Sequence, residues 1–433
     1  MSKVETTLAK IASRRPVIID LSLDRVYAAL ARLGDPQKKL PPVIHVAGTN
    51  GKGSTVAFIR AALEAAGKSV HVYTSPHLVR FNERIVLAGQ QISDDALIDA
   101  LEETDKAMGD DHLTYFETTT CAALLAFSRT PADYAIIEVG LGGRLDATNV
   151  FDDPLITIVT PVDLDHQSFL GDTIGEVAGE KAGIFRRNRS AVIAKQTPEA
   201  MAVLQRHAQK VGAKIHAFGE QWNVHSEHGR LIYQDDDGLC DLDLPRLAGA
   251  HQIENAGTAI AALRAGGIAI DETAMSTGLQ SAKWPARMQR LTSGPIVDLA
   301  RQSLGADPEI WLDGGHNPHA GRAIAAVIAD FEARNAKPLV MIAGMQANKD
   351  AAGYFANFSG LVRSVFCVAA DHDGVMRPDE VANAATKAGL SATHYASLTD
   401  AIKAACAQNK NEPPRILIGG SLYLAGEILR ENA

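Results

Sequence analysis

The sequence predicts an α/β protein of two domains. The larger, N-terminal one is a P-loop ATPase-type domain with a mostly parallel sheet, and the smaller, C-terminal one is Rossmann-like. Three observations lead there. The chain has 433 residues, long for a single hydrophobic core. Short apolar runs alternate with helix-like segments, as in parallel βαβ units. The run Val43-Ile44-His45-Val46-Ala47 leads directly into Gly48-Thr49-Asn50-Gly51-Lys52-Gly53-Ser54-Thr55, the strand–loop–helix order that phosphate binding needs.

Strands are expected at Val43–Val46, Val70–Tyr73, Ala135–Val139, Ile156–Thr160 and Ala191–Ala194. Helices are expected at Thr55–Ala66, Asp94–Met108 and Thr118–Ser128, and a more polar β-like region over Ile215–Leu244 precedes a helix at Gln252–Ala265. The pattern breaks around Trp284-Pro285-Ala286-Arg287. A second α/β series follows, with strands at Ile296–Leu299, Glu309–Leu312, Leu339–Ala343, Val365–Ala369 and Arg415–Ile418. Ala320–Asn335 and Pro378–Ala388 read as its helices, so domains of residues 1–291 and 292–433 are expected.

Composition narrows the function classes. A hydrophobic fraction of 46% and a charged fraction of 21% are those of an ordinary globular protein. Net charge is −9 with no basic run, which speaks against a nucleic-acid partner. No apolar stretch approaches the ~20 residues of a membrane span. Met1 to Pro16 lacks the apolar core of a secretory signal. Cys121, Cys240, Cys367 and Cys406 are far apart without a C-x-x-C pair, which suits a reducing cytoplasm and buried thiols.

Chemistry concentrates at the ends of the expected strands. In the glycine-rich loop, backbone N–H groups and a helix N-terminus would face an anion, and Lys52 adds a mobile positive charge. Gly53 stands where a Ser or Thr would ordinarily hold Mg²⁺, so another segment must supply that ligand. Tyr73-Thr74-Ser75-Pro76-His77-Leu78 brings hydroxyls to a strand end, or is simply a turn before proline. In Glu138-Val139-Gly140-Leu141-Gly142-Gly143-Arg144-Leu145-Asp146, a carboxylate ending an apolar strand needs a partner. Either Mg²⁺ or Arg144 could satisfy it. Asp146 could face substrate or cap a turn.

Thr160-Pro161-Val162-Asp163-Leu164-Asp165-His166 puts a histidine at the same sheet edge as Glu138. Spacing alone makes Lys181, in Glu180-Lys181-Ala182-Gly183, a solvated helix charge. Asp313 and His316, in Trp311-Leu312-Asp313-Gly314-Gly315-His316-Asn317-Pro318, follow another strand, and Gly419-Gly420-Ser421 closes the series.

Taken in order, GTNGKGST, TSPHL, EVGLGGRLDATN, EKAGI, HQxxNA and DGGHNP closely resemble the folylpolyglutamate synthase/dihydrofolate synthase family of Mur-type ligases. The likeness runs from Ile19-Asp20-Leu21 to Ser421. It implies an ATP-dependent amide ligase. ATP phosphorylates a substrate carboxylate, and the amine of L-glutamate attacks the acyl phosphate. By resemblance, Thr49, Asn50, Gly51, Lys52, Gly53 and Ser54 hold the ATP phosphates, with Asn255, Arg287 and Asp313 as nucleotide contacts. Ser75, Glu138, His166 and a carbamylated Lys181 would ligate two Mg²⁺ ions, with a K⁺ site also allowed for. Lys52, His166, Lys181 and His316 form the implied catalytic set, and His316 and Ser421 orient glutamate.

Asp20, Leu21, Ser22, Leu23, Phe116, Glu117, Thr118, Thr119, Leu145, Asp146 and Ala147 match the segments that contact dihydropteroate in bifunctional bacterial members. Ser22 stands where glycine is often found. The expected partners are ATP, L-glutamate, dihydropteroate and reduced folates, with neither nucleic acid nor membrane, for a cytoplasmic monomer. A monofunctional folylpolyglutamate synthase is the near alternative. A cell-wall Mur ligase is disfavoured by Gly53, and a non-catalytic ATP-binding module by the intact Lys52, Glu138, His166 and Lys181.

Overall fold

The computed structural model describes residues 2–14, 22–109 and 113–432. Contacts divide the chain into two compact units, Met1–Arg246 with Gln252–Ala282, and Leu247–His251 with Lys283–Ala433. The second unit thus starts ahead of the expected boundary at 291/292, because residues 289–291 pair into its sheet.

The first unit holds β1 (Val43–Ala47), β2 (Val70–Tyr73), β3 (Ile85–Leu87), β4 (Gln90–Gln91), β5 (Tyr134–Glu138), β6 (Ile156–Val159), β7 (Ser190–Ile193) and β8 (Lys214–Ala217). They form one eight-stranded sheet in the order β4-β3-β2-β5-β1-β6-β7-β8. All neighbours are parallel except β2–β3 and β3–β4. β1 lies inside the sheet and is buried along its whole length, as a strand covered on both faces must be. One cluster packs Val43, Tyr73, Ala135 and Ile137 against Leu97, Leu101, Leu124 and Phe127 of the helices Asp94–Met108 and Tyr115–Arg129. A second packs Ala47, Val159 and Ile193 against Val177, Ala178 and Leu204 of the helices Ile174–Ala182 and Pro198–Val211.

The polar stretch resolves into β8 and an antiparallel meander of β9 (Trp222–Glu227), β10 (Arg230–Asp235) and β11 (Gly238–Asp243). The helix Ala250–Ala265 follows. All four cysteines are free and buried. Among the described residues no helix is long and apolar enough to cross a membrane.

In the second unit, β12 (Gln289–Leu291), β13 (Glu309–Leu312), β14 (Leu339–Ala343), β15 (Val362–Cys367), β16 (Ala392–His394) and β17 (Arg415–Gly419) form a sheet in the order β12-β13-β17-β14-β15-β16. Only β12 runs antiparallel to its neighbour. One expectation fails here. Ile296–Leu299 is not a strand but part of the helix Pro295–Leu304. Pro295 occupies the first helical turn, and Ile296, Val297, Ala300 and Leu304 bury one helical face, a period of about four that a four-residue window cannot reveal.

An ion cluster braces the opposite end of this sheet from the strand-end loops. The Arg415 side chain is 3% exposed and donates to Glu309 at 2.6 Å and to Glu332. Lys337 also reaches Glu309, at 2.8 Å. Arg415→Ala would take the guanidinium from Glu332 and leave Glu309 to Lys337 and Trp311. It is expected to lower the stability of this unit by about 2–3 kcal/mol, read as a fall in its thermal midpoint. A midpoint unchanged within error would show the cluster to be energetically idle.

Candidate active site

The P-loop sits between β1 and the helix Lys52–Ala65. Gly51 caps that helix at φ +86°, and a Cβ there would lie 2.4 Å from Asn255 Oδ1. The turn therefore needs glycine on two counts, backbone hand and space. Asn255 is buried and donates to Gln252 Oε1 at 3.1 Å, so the HQxxNA helix is seated directly on the loop.

The loop's amides divide into two groups. Those of Thr49 and Asn50 donate to Pro161 O at 3.0 and 3.2 Å, and Thr49 Oγ1 exchanges hydrogen bonds with the Asp163 backbone. These two residues anchor the loop to the segment after β6. The first helical bond runs from Thr55 N to Gly51 O at 2.9 Å. The amides of Lys52, Gly53 and Ser54 precede it, at a helix start where no intrahelical acceptor exists. They, and not Thr49 and Asn50, are placed to donate to an anion.

Lys52 Nζ folds back to Gly48 O at 3.1 Å and Thr49 O at 3.4 Å, and lies 3.9 Å from Glu138 Oε1. Glu138 ends β5 with 4% exposure, and its other oxygen accepts from Ser75 N at 3.4 Å. Three segments distant in sequence thus meet at one sheet edge. Arg144 does not satisfy Glu138. It pairs with Glu180 at 2.8 Å, and the contacts of Glu138 include Lys52 and Ser75.

Lys181 is not the solvated charge its spacing suggests. It is 3% exposed in the last turn of the helix Ile174–Ala182. Burial pushes its pKa down to about 7, the Lys52 charge adds to the fall, and Asp165, Asp146 and Glu180 oppose it. Gly143 makes the close packing possible, since a Cβ there would lie 2.8 Å from Glu180 O and 3.0 Å from Lys181 Cα. His166 stands in a left-handed conformation at φ +52°, at the start of the short helix Gln167–Leu170, exposed, with Nε2 3.8 Å from Asp165 Oδ1.

Asp146 is 2% exposed and braces its own loop. Its Oδ1 accepts from Thr148 N at 3.0 Å and Thr148 Oγ1 at 2.5 Å, and its Oδ2 accepts from Leu141 N at 2.8 Å. Burial raises its pKa, against hydrogen bonds from Thr148 and Leu141. Phe116 lies across Gly140, where a Cβ would fall 2.3 Å from the ring. Glu117 is taken up by Thr114 N at 2.6 Å and Arg25 at 2.8 Å, while the Thr118 and Thr119 hydroxyls bond their own helix. Of that segment, Phe116 alone keeps its side chain clear of helix bonding. Leu145 is half-buried and Ala147 buried in the same loop as Asp146. Ser22 and Leu23 lead into the helix Asp24–Arg32. Asp20 and Leu21 lie outside the described residues.

The second unit gathers its own set. Asp313 is buried and accepts from Met288 N at 2.8 Å and Gly315 N at 2.7 Å. Ala286 and Met288, which flank Arg287, are both left-handed, at φ +54° and +41°. Such strain costs on the order of 1–3 kcal/mol per residue and collects where a side chain must be aimed. Asp313 and Gln289 hold that turn together. His316 Nδ1 lies 3.0 Å from Gly314 O, and Ser421 caps the final helix, accepting from Tyr423 N at 3.1 Å. Sequence reasoning missed Thr148, His45 and Met288 because their parts are played through hydrogen bonds to residues remote in the chain, or by a backbone amide. The positive-φ pair flanking Arg287 had no glycine to signal it.

Two family models match the chain: Mur ligase middle domain over residues 46–263 and Mur ligase, glutamate ligase domain over residues 299–422. Dihydrofolate synthase/folylpolyglutamate synthase of Escherichia coli K12 is 36% identical over 417 residues, covering 95% of this chain and 91% of the relative. The solved E. coli FolC in complex with DHPP and ADP superposes with a TM-score of 0.88 at 33% identity, over 99% of this chain and 97% of that one. A bifunctional folylpolyglutamate synthase/dihydrofolate synthase solved with Mn, AMPPNP and L-glutamate bound gives a TM-score of 0.85 at 30% identity, over 99% and 98%. With the order of motifs, the P-loop geometry and both domains in agreement, the chain belongs to the dihydrofolate synthase/folylpolyglutamate synthase family of Mur ligases, ATP-dependent enzymes that release ADP.

Proposed function

We propose that this chain joins L-glutamate to dihydropteroate, forming dihydrofolate, and to the glutamate tail of reduced folates. The observation that carries the reading is the meeting of Lys52, Glu138 and the Ser75 segment at one sheet edge, beside a helix start with open amides. A carboxylate is a poor electrophile. Attack of its oxygen on the γ-phosphorus of ATP makes an acyl phosphate and releases ADP. The glutamate amine then forms the amide bond, loses a proton, and expels phosphate. The Lys52 ammonium and the amides of Lys52 to Ser54 would hold the transferring phosphoryl. Asn255, Arg287 and Asp313 would serve the nucleotide, with Asp313 acting by holding the Arg287 turn. His316 and Ser421 would orient glutamate.

The donor set suits Mg²⁺. Among the described residues no three His, Cys, Asp or Glu side chains gather as a metal site. The residues that would hold the metal are Glu138, the Ser75 hydroxyl, His166 and a lysine. Mg²⁺ keeps several waters and takes substrate phosphates, so it asks few carboxylates of the protein. Lys181 would join as a ligand once carbamylated. Two Mg²⁺ ions, when bound, supply charge neutralisation for the phosphoryl oxygens, and K⁺ would be accessory. The pterin would be met by the segments Asp20 to Leu23, Phe116 to Thr119 and Leu145 to Ala147. The enzyme would act as a cytoplasmic monomer.

ADP release that depends on both glutamate and a pteroate, with the product mass raised by one glutamate, tests the ligase reading. Bifunctionality has its own test. One phosphoryl-transfer centre can serve a substrate and its one-glutamate-longer product only if the pterin rests in two places. Asp20 would read pterin N–H donors in the dihydropteroate mode. Asp20→Ala should lower kcat/KM for dihydropteroate about tenfold more than for tetrahydrofolate, the effect of leaving buried donors unpaired. Equal losses would remove Asp20 from that role. A parent enzyme without dihydropteroate activity would leave the monofunctional synthase.

A further inference from the structure

A hydrogen-bonded chain runs from the middle of the P-loop strand to the loop that carries Asp146. His45, in β1, is 1% exposed, and its Nε2 lies 3.0 Å from Thr148 Oγ1. Thr148 Oγ1 lies 2.5 Å from Asp146 Oδ1, and Asp146 Oδ2 takes Leu141 N at 2.8 Å. The direction of each bond follows from the inventory of protons. Backbone amides donate to both oxygens of Asp146, the environment of an ionised carboxylate, and such a group only accepts. The single Thr148 hydroxyl proton therefore goes to Asp146. The Thr148 oxygen must then accept from His45, which requires the proton on Nε2. Burial pushes the His45 pKa down to about 3, with Arg186 adding to the fall, so the ring is neutral at physiological pH. Phe151 packs edge-on to the ring, with centroids 5.8 Å apart.

A neutral, buried, tautomer-selected histidine in the central strand is a costly way to fill a core. An aliphatic residue would bury more cheaply and need no partner. What the histidine adds is a donor of fixed direction, three residues before Gly48.

We propose that His45 and Thr148 are positioning residues for the pterin-bearing substrate: they hold Asp146 and its loop, Gly140 to Thr148, in register with the P-loop strand. This rests on the reading of Leu145-Asp146-Ala147 as a pterin contact. Neither residue touches the phosphoryl-transfer chemistry, so the effect belongs in KM for dihydropteroate and not in kcat.

The experiment is steady-state kinetics on the full-length enzyme with His45→Leu, His45→Gln, Thr148→Val and the His45→Leu/Thr148→Val pair. His45→Leu and Thr148→Val should each raise KM for dihydropteroate about tenfold, the loss of one buried hydrogen bond in a network. KM for ATP and kcat should stay within about twofold. The double variant should be no worse than the poorer single one, since both break the same chain. His45→Gln keeps an N–H near the Nε2 position and should recover most of the loss. Should His45→Leu fail to fold, Thr148→Val leaves the strand intact and asks the same question. Unchanged KM, losses that multiply in the double variant, or a glutamine as damaging as leucine would overturn the relay. Asp146→Asn separates the two levels. If it leaves KM for dihydropteroate unmoved, the pterin reading fails and takes the relay with it. If it raises KM while His45→Leu and Thr148→Val do not, the pterin reading stands and the relay alone falls.

Discussion

Lys52→Ala is expected to lower ligation by on the order of 10²-fold or more, at saturating ATP, with only a small change in stability. Lys52 sits at the first position of the helix Lys52–Ala65, and its ammonium rests on the carbonyls of Gly48 and Thr49. A cation parked on loop carbonyls exchanges weak partners for phosphate oxygens when the nucleotide arrives. Its charge acts most where negative charge is shed to the leaving ADP, so the loss falls on kcat. The folded protein loses the hydrogen bonds to the two loop carbonyls and a contact of 3.9 Å to Glu138, which is loose for an ion pair, and about 1–2 kcal/mol is the expected cost. The checks are single-turnover formation of the acyl phosphate and a thermal melt. Turnover near that of the parent at saturating ATP would remove the phosphate role. A collapse of the melt would instead make Lys52 a structural residue.

Lys181→Ala is expected to be as damaging, and the structure gives the reason why this lysine is chemically unusual. An amine attacks CO₂ only through its free lone pair. A solvated lysine near pH 10.5 has almost none at neutrality, whereas burial brings Lys181 to about 7. A substantial share of it is then neutral near pH 7. The new N–C bond forms, one N–H proton leaves to solvent, and a cation becomes an anion beside Lys52. The sign of the pH dependence follows. Below about 7 the amine is protonated and unreactive, so carbamylation and activity should rise as pH climbs through that value, and added bicarbonate should help most at the acid end. ¹³C-bicarbonate should give a carbamate resonance in the parent that Lys181→Ala lacks, and short-chain carboxylic acids should restore part of the variant's activity. A fully active enzyme without that resonance would reject the carbamate.

How much of this was legible beforehand differs from element to element. Strands such as Val70–Tyr73 and Glu309–Leu312 and the helix Asp94–Met108 were readable because their periodicity is local. Pro295–Leu304 was misread because Ile296-Val297-Asp298-Leu299, three apolar residues around one aspartate, looks alike as strand or helix until the period beyond it is seen. The P-loop was readable as a loop. Which of its amides are open was not, because Thr49 and Asn50 are claimed by Pro161, more than a hundred residues on.

The sequence by itself determined the order of elements, the glycines that the turns require, and the family, because these depend on neighbours in the chain or on several motifs in fixed succession. The tertiary structure decided which charges are naked. From sequence Lys181 looks solvated, and Arg144 looks able to pair with Glu138. Folding buries the first and turns the second outward to Glu180, while Glu138 meets Lys52 and Ser75. It also decided that a histidine in the middle of an apolar strand meets the hydroxyl of Thr148, which in turn bonds Asp146. Burial and hydrogen-bond partners depend on which surfaces close over a side chain, and those surfaces come from segments that only the fold brings together.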